Sequence, residues 1–67
     1  MQIFSERLKD LRQEKNLSLD QLGKILNVDH TTISRWEKGT ITPGIDHLYN
    51  LAVYFQVSCD YLVGLED

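Results

Sequence analysis

Helix start and stop signals alternate along the whole chain and leave almost no room for a strand. Ser18-Leu19-Asp20-Gln21 is a capping box: the Ser18 hydroxyl accepts from the Gln21 N–H, and the Gln21 side chain reaches back. Asp29 is an N-cap for a helix that runs to Lys38, and Gly39 follows as its stop. Ser58 opens a last helix, from Cys59 to about Leu65. Asn16 and Asn27 tolerate the left-handed conformation in which helices often end. The loop Thr40-Ile41-Thr42-Pro43-Gly44 holds the only proline, and a fourth helix begins near Ile45, capped by Thr42 or by Gly44.

Apolar spacing agrees with these boundaries. Phe4, Leu8 and Leu11 recur at i, i+4, i+7. Leu22, Ile25 and Leu26 share a face of the second helix, and Ile33 and Trp36 anchor the third. Leu48, Leu51, Ala52 and Phe55 line the fourth, and Leu62 is the surest core residue of the fifth. The expected fold class is all-α, with five short helices forming one domain over residues 1–67.

Several function classes fall away. No apolar run approaches the ~18–20 residues that span a bilayer, so no membrane role is expected. The N-terminus is charged almost at once and does not fit a signal peptide. One cysteine, Cys59, and two histidines match neither a disulfide nor a zinc spacing. A reducing cytoplasm is the expected compartment, with no metal and no cofactor. No Ser/His/Asp trio, phosphate loop or carboxylate pair stands out, and no catalysis is expected.

Net charge is −3, which by itself argues against nucleic acid, but it is unevenly spread. Residues 1–38 hold all seven bases against six acids, for +1; residues 39–67 hold four acids and no lysine or arginine, for −4. Uneven charge of this kind suggests two ends with different partners.

The third helix is unusual. His30, Thr31, Thr32, Ser34 and Arg35 are small or polar, and Thr and His are mediocre helix formers. With Ile33 and Trp36 as anchors, the opposite face displays His30, Thr31, Ser34 and Arg35. A helix that enters the DNA major groove needs such a face, slim and rich in donors and acceptors. A helical hairpin with a polar, solvated face meets the same description.

Several runs distinguish the two. Arg7-Leu8-Lys9-Asp10-Leu11-Arg12, Leu17-Ser18, Thr32-Ile33-Ser34-Arg35-Trp36-Glu37-Lys38-Gly39, Pro43, Leu48…Leu51-Ala52 and Val57-Ser58…Asp60-Tyr61-Leu62 resemble the phage-repressor-like helix-turn-helix domains of the Cro and xenobiotic-response-element type. The resemblance runs from about Phe4 to Gly64. It implies a lambda-repressor-like domain with its helix-turn-helix at helices 2 and 3, in a sequence-specific transcriptional regulator, typically a repressor. It implies double-stranded DNA with an inverted-repeat operator as the partner, bound by a homodimer.

On that resemblance His30, Thr31, Ser34 and Arg35 are the expected base readers. Ser18, Gln21, Lys24, Thr32, Lys38 and Thr40 are the expected DNA-backbone contacts, with Ser18 and Gln21 also serving as caps. Trp36 is a packing anchor whose edge touches the DNA backbone. Glu37, which would repel phosphate, is expected to pair with Arg12. Tyr61, Val63 and Leu65 are the expected dimer surface, with Tyr49, Val53 and Tyr54 also off the core face. Asp46 and His47 are expected to be solvated. Leu19 departs from the family, where many relatives carry a Gln that touches DNA. Gly23 stands where Ala is frequent, and Asn16 and Asn27 where Gly is. Leu19 and the acidic balance suit a second reading, an antitoxin-like or scaffolding interaction module with weak or no DNA binding.

Overall fold

A computed structural model of the chain describes residues 2–67. It contains α1 (Gln2–Glu14), α2 (Leu19–Leu26), α3 (His30–Lys38), α4 (Ile45–Phe55) and α5 (Cys59–Val63), and no strand among the described residues. All five helices contribute to one core. Phe4 and Leu8 enter it from α1, Leu22 and Leu26 from α2, and Ile33 and Trp36 from α3. Leu51, Ala52 and Phe55 come from α4 and Leu62 from α5. Trp36 is the largest fully buried side chain. Each such aliphatic or aromatic group contributes ~1.5–3 kcal/mol on burial, so a core this small relies on every one.

Local signals set the helix ends. Ser18 and Gln21 form both bonds of the capping box: Gln21 N–H donates to Ser18 Oγ at 3.0 Å, and Ser18 N–H donates to Gln21 Oε1 at 2.8 Å. Asp29 Oδ1 accepts from the Thr31 N–H at 3.3 Å, and Ser58 Oγ accepts from the Tyr61 N–H at 2.9 Å. Gly44, not Thr42, precedes α4, and no side chain caps that helix. Asn16, Asn27 and Gln56 take positive φ, and Gly39 ends α3 at φ 77°. The last helix stops two residues short of Leu65, because Gly64 turns left-handed at φ 88°.

The α2–α3 joint depends on Gly23. A Cβ there would lie 2.6 Å from the Val28 carbonyl oxygen and 3.4 Å from the His30 nitrogen. The turn folds back so tightly that its own backbone fills the space a side chain would need, which brings the N-terminus of α3 under the end of α2.

Four side chains depart from their expected environments. Tyr54, expected off the core face with Tyr49 and Val53, is half-buried and packs against the core edge-on to Phe55, because the stripe that α4 buries extends round to it. Ile25 is 44% exposed, because the core stripe of α2 runs through Leu22, Gly23 and Leu26 instead. Trp36 is 1% exposed, so its edge is sealed inside and touches no partner. His47 is half-buried: its ring lies 5.4 Å from that of Trp36, and its Nδ1 is buried without a hydrogen-bond partner.

Candidate nucleic-acid interface

α3 divides cleanly into two sides. Ile33 and Trp36 point inward, fully buried. His30, Thr31, Arg35 and Lys38 are exposed, and Thr32 and Ser34 are half-buried at the margins. Residues 30, 31, 34, 35 and 38 follow helical spacing, so their side chains form one face about two turns long. That face carries a hydroxyl donor or acceptor at Thr31 and Ser34, an imidazole at His30 and cations at Arg35 and Lys38. Asp29 caps the helix at the end where His30 and Thr31 lie, with its Oδ1 3.8 Å from His30 Nε2.

The residues around this face that the sequence reading expects to contact a nucleic-acid backbone have different remaining capacities. The capping box uses the acceptor atoms of Ser18 and Gln21. The Ser18 O–H and the Gln21 amide N–H groups are donors that this box does not use, and donors are what a phosphate needs. Capping and anion contact are therefore compatible at both residues. Lys24 is exposed on α2. Thr40 is different: its Oγ1 donates to the Arg35 carbonyl oxygen at 3.1 Å, and its N–H donates to the same oxygen. Its hydroxyl proton already serves the end of α3.

Behind the face stands an ion pair. Arg12 Nε donates to Glu37 Oε2 at 2.6 Å, and Arg12 Nη2 donates to Glu37 Oε1 at 3.0 Å. The guanidinium fork thus grips both carboxylate oxygens, with the side chains 13% and 9% exposed. Nη1 reaches the Leu17 carbonyl oxygen at 2.8 Å, so one arginine fastens α3, α1 and the connection to α2. The hydrogen bond to Glu37 raises the Arg12 pKa further above its already high ordinary value, against the lowering effect of burial. Electrostatically, the pair neutralises the carboxylate that lies behind a face carrying the Arg35 and Lys38 cations.

Two contacts that hold this frame had no local signal in the chain. Ser5, buried on α1, donates to the Trp36 carbonyl oxygen at 2.6 Å and so fixes the end of α3. Arg7 donates to the carbonyl oxygens of Tyr61 and Glu66 while its guanidinium lies 4.2 Å from the centre of the Tyr61 ring. Their partners are 31 and at least 54 residues away, and only the crossing of α1 over α3 and α5 brings them together. Of the other C-terminal residues, Val63 is half-buried and Leu65 is 77% exposed. Leu19 is half-buried and packs against the core, so it offers no polar group at the start of α2.

Comparison with known proteins gives this geometry its context. A family model described as Helix-turn-helix matches residues 8–62. The chain is similar to the HTH-type transcriptional activator BcrR of Enterococcus faecalis, with 39% identity covering 96% of this chain and 31% of that protein. Among solved structures it is similar to the c2 repressor of Salmonella phage P22 in complex with a synthetic operator. The TM-score there is 0.85 and the identity 32%, over 92% of this chain and 94% of that one. It is also similar to Bacillus subtilis SinR in complex with DNA, with a TM-score of 0.80 and 30% identity over 90% and 97% of the two chains. The chain spans 31%, 53% and 58% of the length of the curated relatives BcrR, AnsR and YobD.

Proposed function

The chain belongs to the helix-turn-helix family, and on that premise we propose that it is a sequence-specific DNA-binding transcriptional regulator whose α3 enters the major groove. One observation carries the reading: a slim polar face with two cations, held outward by the buried pair Ile33 and Trp36, on a fold shared with a repressor bound to its operator. His30, Thr31, Ser34 and Arg35 are the proposed base readers. Arg35 suits guanine O6 and N7, which a guanidinium fork can take together. Ser18, Gln21, Lys24, Thr32 and Lys38 are the proposed phosphate contacts. Thr40 joins them only by releasing the Arg35 carbonyl.

The regulator acts as a homodimer on an inverted repeat. A two-turn helix touches few base pairs, and one monomer competes poorly with bulk DNA. Two copies place their α3 helices ~34–36 Å apart, one duplex turn. Tyr61, Val63 and Leu65 at the acidic end are proposed to take part in that contact; residues 1–67 are proposed to form one DNA-binding domain that works in the cytoplasm without enzymatic activity of its own. The relatives include both an activator and a repressor.

Selection of bound duplexes from a random pool, followed by a salt series on the winner, tests this reading. The expected result is a two-fold symmetric site whose log affinity falls linearly with log salt. A flat response or no enrichment favours the interaction-module reading that Leu19 and the acidic half suit.

A further inference from the structure

Asp29 puts a carboxylate at the end of α3 where His30 and Thr31 lie. Its Oδ1 accepts from the Thr31 N–H at 3.3 Å, which caps the helix. Capping alone needs no charge: a serine hydroxyl caps as well, and Ser18 and Ser58 do so for α2 and α5. A carboxylate has about four acceptor sites, and the cap takes one. Among the described residues Oδ2 has no hydrogen-bond partner, and the side chain is 68% exposed. Glu37, near the other end of α3, is gripped by the Arg12 fork. No such fork holds Asp29: among the described residues only His30, with Nε2 3.8 Å from Oδ1, comes within ion-pair reach.

We infer that Asp29 is a specificity-determining residue: with Oδ1 held by the cap, Oδ2 accepts a hydrogen bond from the amino group of a base, cytosine N4 first. This rests on the reading of α3 as the helix that enters the major groove, and it adds a reader beside His30, Thr31, Ser34 and Arg35. The N-terminal residues of such a helix reach the base edges. A carboxylate there can only accept. Cytosine N4 and adenine N6 donate, whereas guanine O6 and N7 and thymine O4 are acceptors with no proton to share. Adenine also sets its N7 acceptor beside its amino group, so cytosine suits better. The charge sharpens the choice. A bare carboxylate beside phosphates lowers affinity for every duplex. A hydrogen bond to an ionised acceptor is about twice as strong as one between neutral groups. It offsets the repulsion only where an amino group is presented. Asp29 thus weakens binding to bulk DNA and recovers it on a matching site. The cap sets the direction of the side chain, so the acceptor is in place before DNA arrives.

Competition binding with single-base variants of a duplex selected from a random pool tests it. The wild type is expected to prefer cytosine over guanine or thymine about tenfold at one position on the contacted strand. Asp29→Ser keeps a cap and is expected to cut that preference below about twofold, while it binds the mismatched duplexes more tightly than the wild type does. Asp29→Asn also keeps the cap; its free group is then an amide donor, and preference at that position is expected to turn against cytosine. Thermal melts of both variants check that each is folded. His30→Ala is expected to leave the cytosine preference in place, and its loss there would assign the position to His30 and overturn the inference. A preference matrix that neither Asp29 substitution alters makes the residue a cap, or, if affinity rises equally on every duplex, a source of repulsion. Either result overturns the inference and leaves the reading of α3 standing. A wild type with no base preference at any position overturns both.

Discussion

α3 and α4 have similar lengths and both bury aliphatic and aromatic side chains, yet their outer faces are opposites. α3 turns His30, Thr31, Arg35 and Lys38 outward; α4 turns out Ile45, Tyr49 and Val53. Their supports differ as well. α3 is capped by Asp29, stopped by Gly39, gripped through Glu37 and held at its end by Ser5. α4 starts at Gly44 with no side-chain cap. A helix that must present donors to a rigid, charged duplex needs its position set by other elements, since a small displacement misplaces every contact. A helix that offers an apolar stripe tolerates looser placement, because burial is non-directional.

The contrast can be broken most severely at the ion pair. Glu37→Gln strands the buried Arg12 guanidinium, Arg12→Ala strands the buried Glu37 carboxylate, and either is expected to cost ~3–5 kcal/mol. For a domain of this size that lowers Tm by well over 10 °C. A melt within a degree or two of the wild type would mean that α3 does not depend on this support.

Gly23→Ala comes next. Ala is the better helix former by ~1 kcal/mol. Overlap with the Val28 carbonyl is nonetheless expected to make the variant less stable by about 2 kcal/mol, in denaturant titration with unchanged slope. A stabilised variant would show that the turn has room to relax.

On the outer face of α3 the effects move from stability to specificity. His30→Ala and Arg35→Ala are expected to relax preference at one or two operator positions by ~1–3 kcal/mol per lost contact. Lys38→Ala should weaken all sequences alike and flatten the salt slope. Competition binding with single-base operator variants separates the two classes. Equal losses on every sequence would mean that α3 supplies only charge.

The smallest effect sharpens the other side. Val53→Ser should leave the monomer within about 0.5 kcal/mol of the wild type in thermal melts, as exposed substitutions usually do. Leu51→Ala, two residues earlier on the buried side, should cost ~2–5 kcal/mol. Similar costs for both would place the outer stripe inside the monomer's own packing.

Helix boundaries were legible from the chain because their causes are local. Ser18 and Gln21 are three residues apart, Asp29 and Thr31 two, and Gly39 needs only its own missing Cβ to end α3. The inward pair Ile33 and Trp36 followed from spacing, and the outward polar face followed from them. Arg12 with Glu37 was reached only through family resemblance, since no spacing rule joins residues 25 apart. Ile25 and His47 were misplaced for a related reason: helical periodicity gives a face but not its angular width, and the neighbours decide where burial stops.

What the sequence determined by itself was the number of helices, most of their ends and the chemistry each could display, because caps, turns and i to i+4 spacing involve only nearby residues. Tertiary structure alone decided that Arg7 would close over Tyr61, that Ser5 would reach the Trp36 carbonyl and that His47 would lie against the Trp36 ring. It also left Tyr49 in the open while Tyr61 was covered. Those outcomes depend on the directions in which helices cross. Crossing angles arise from the packing of all five helices around one core, a property that no short stretch of chain contains.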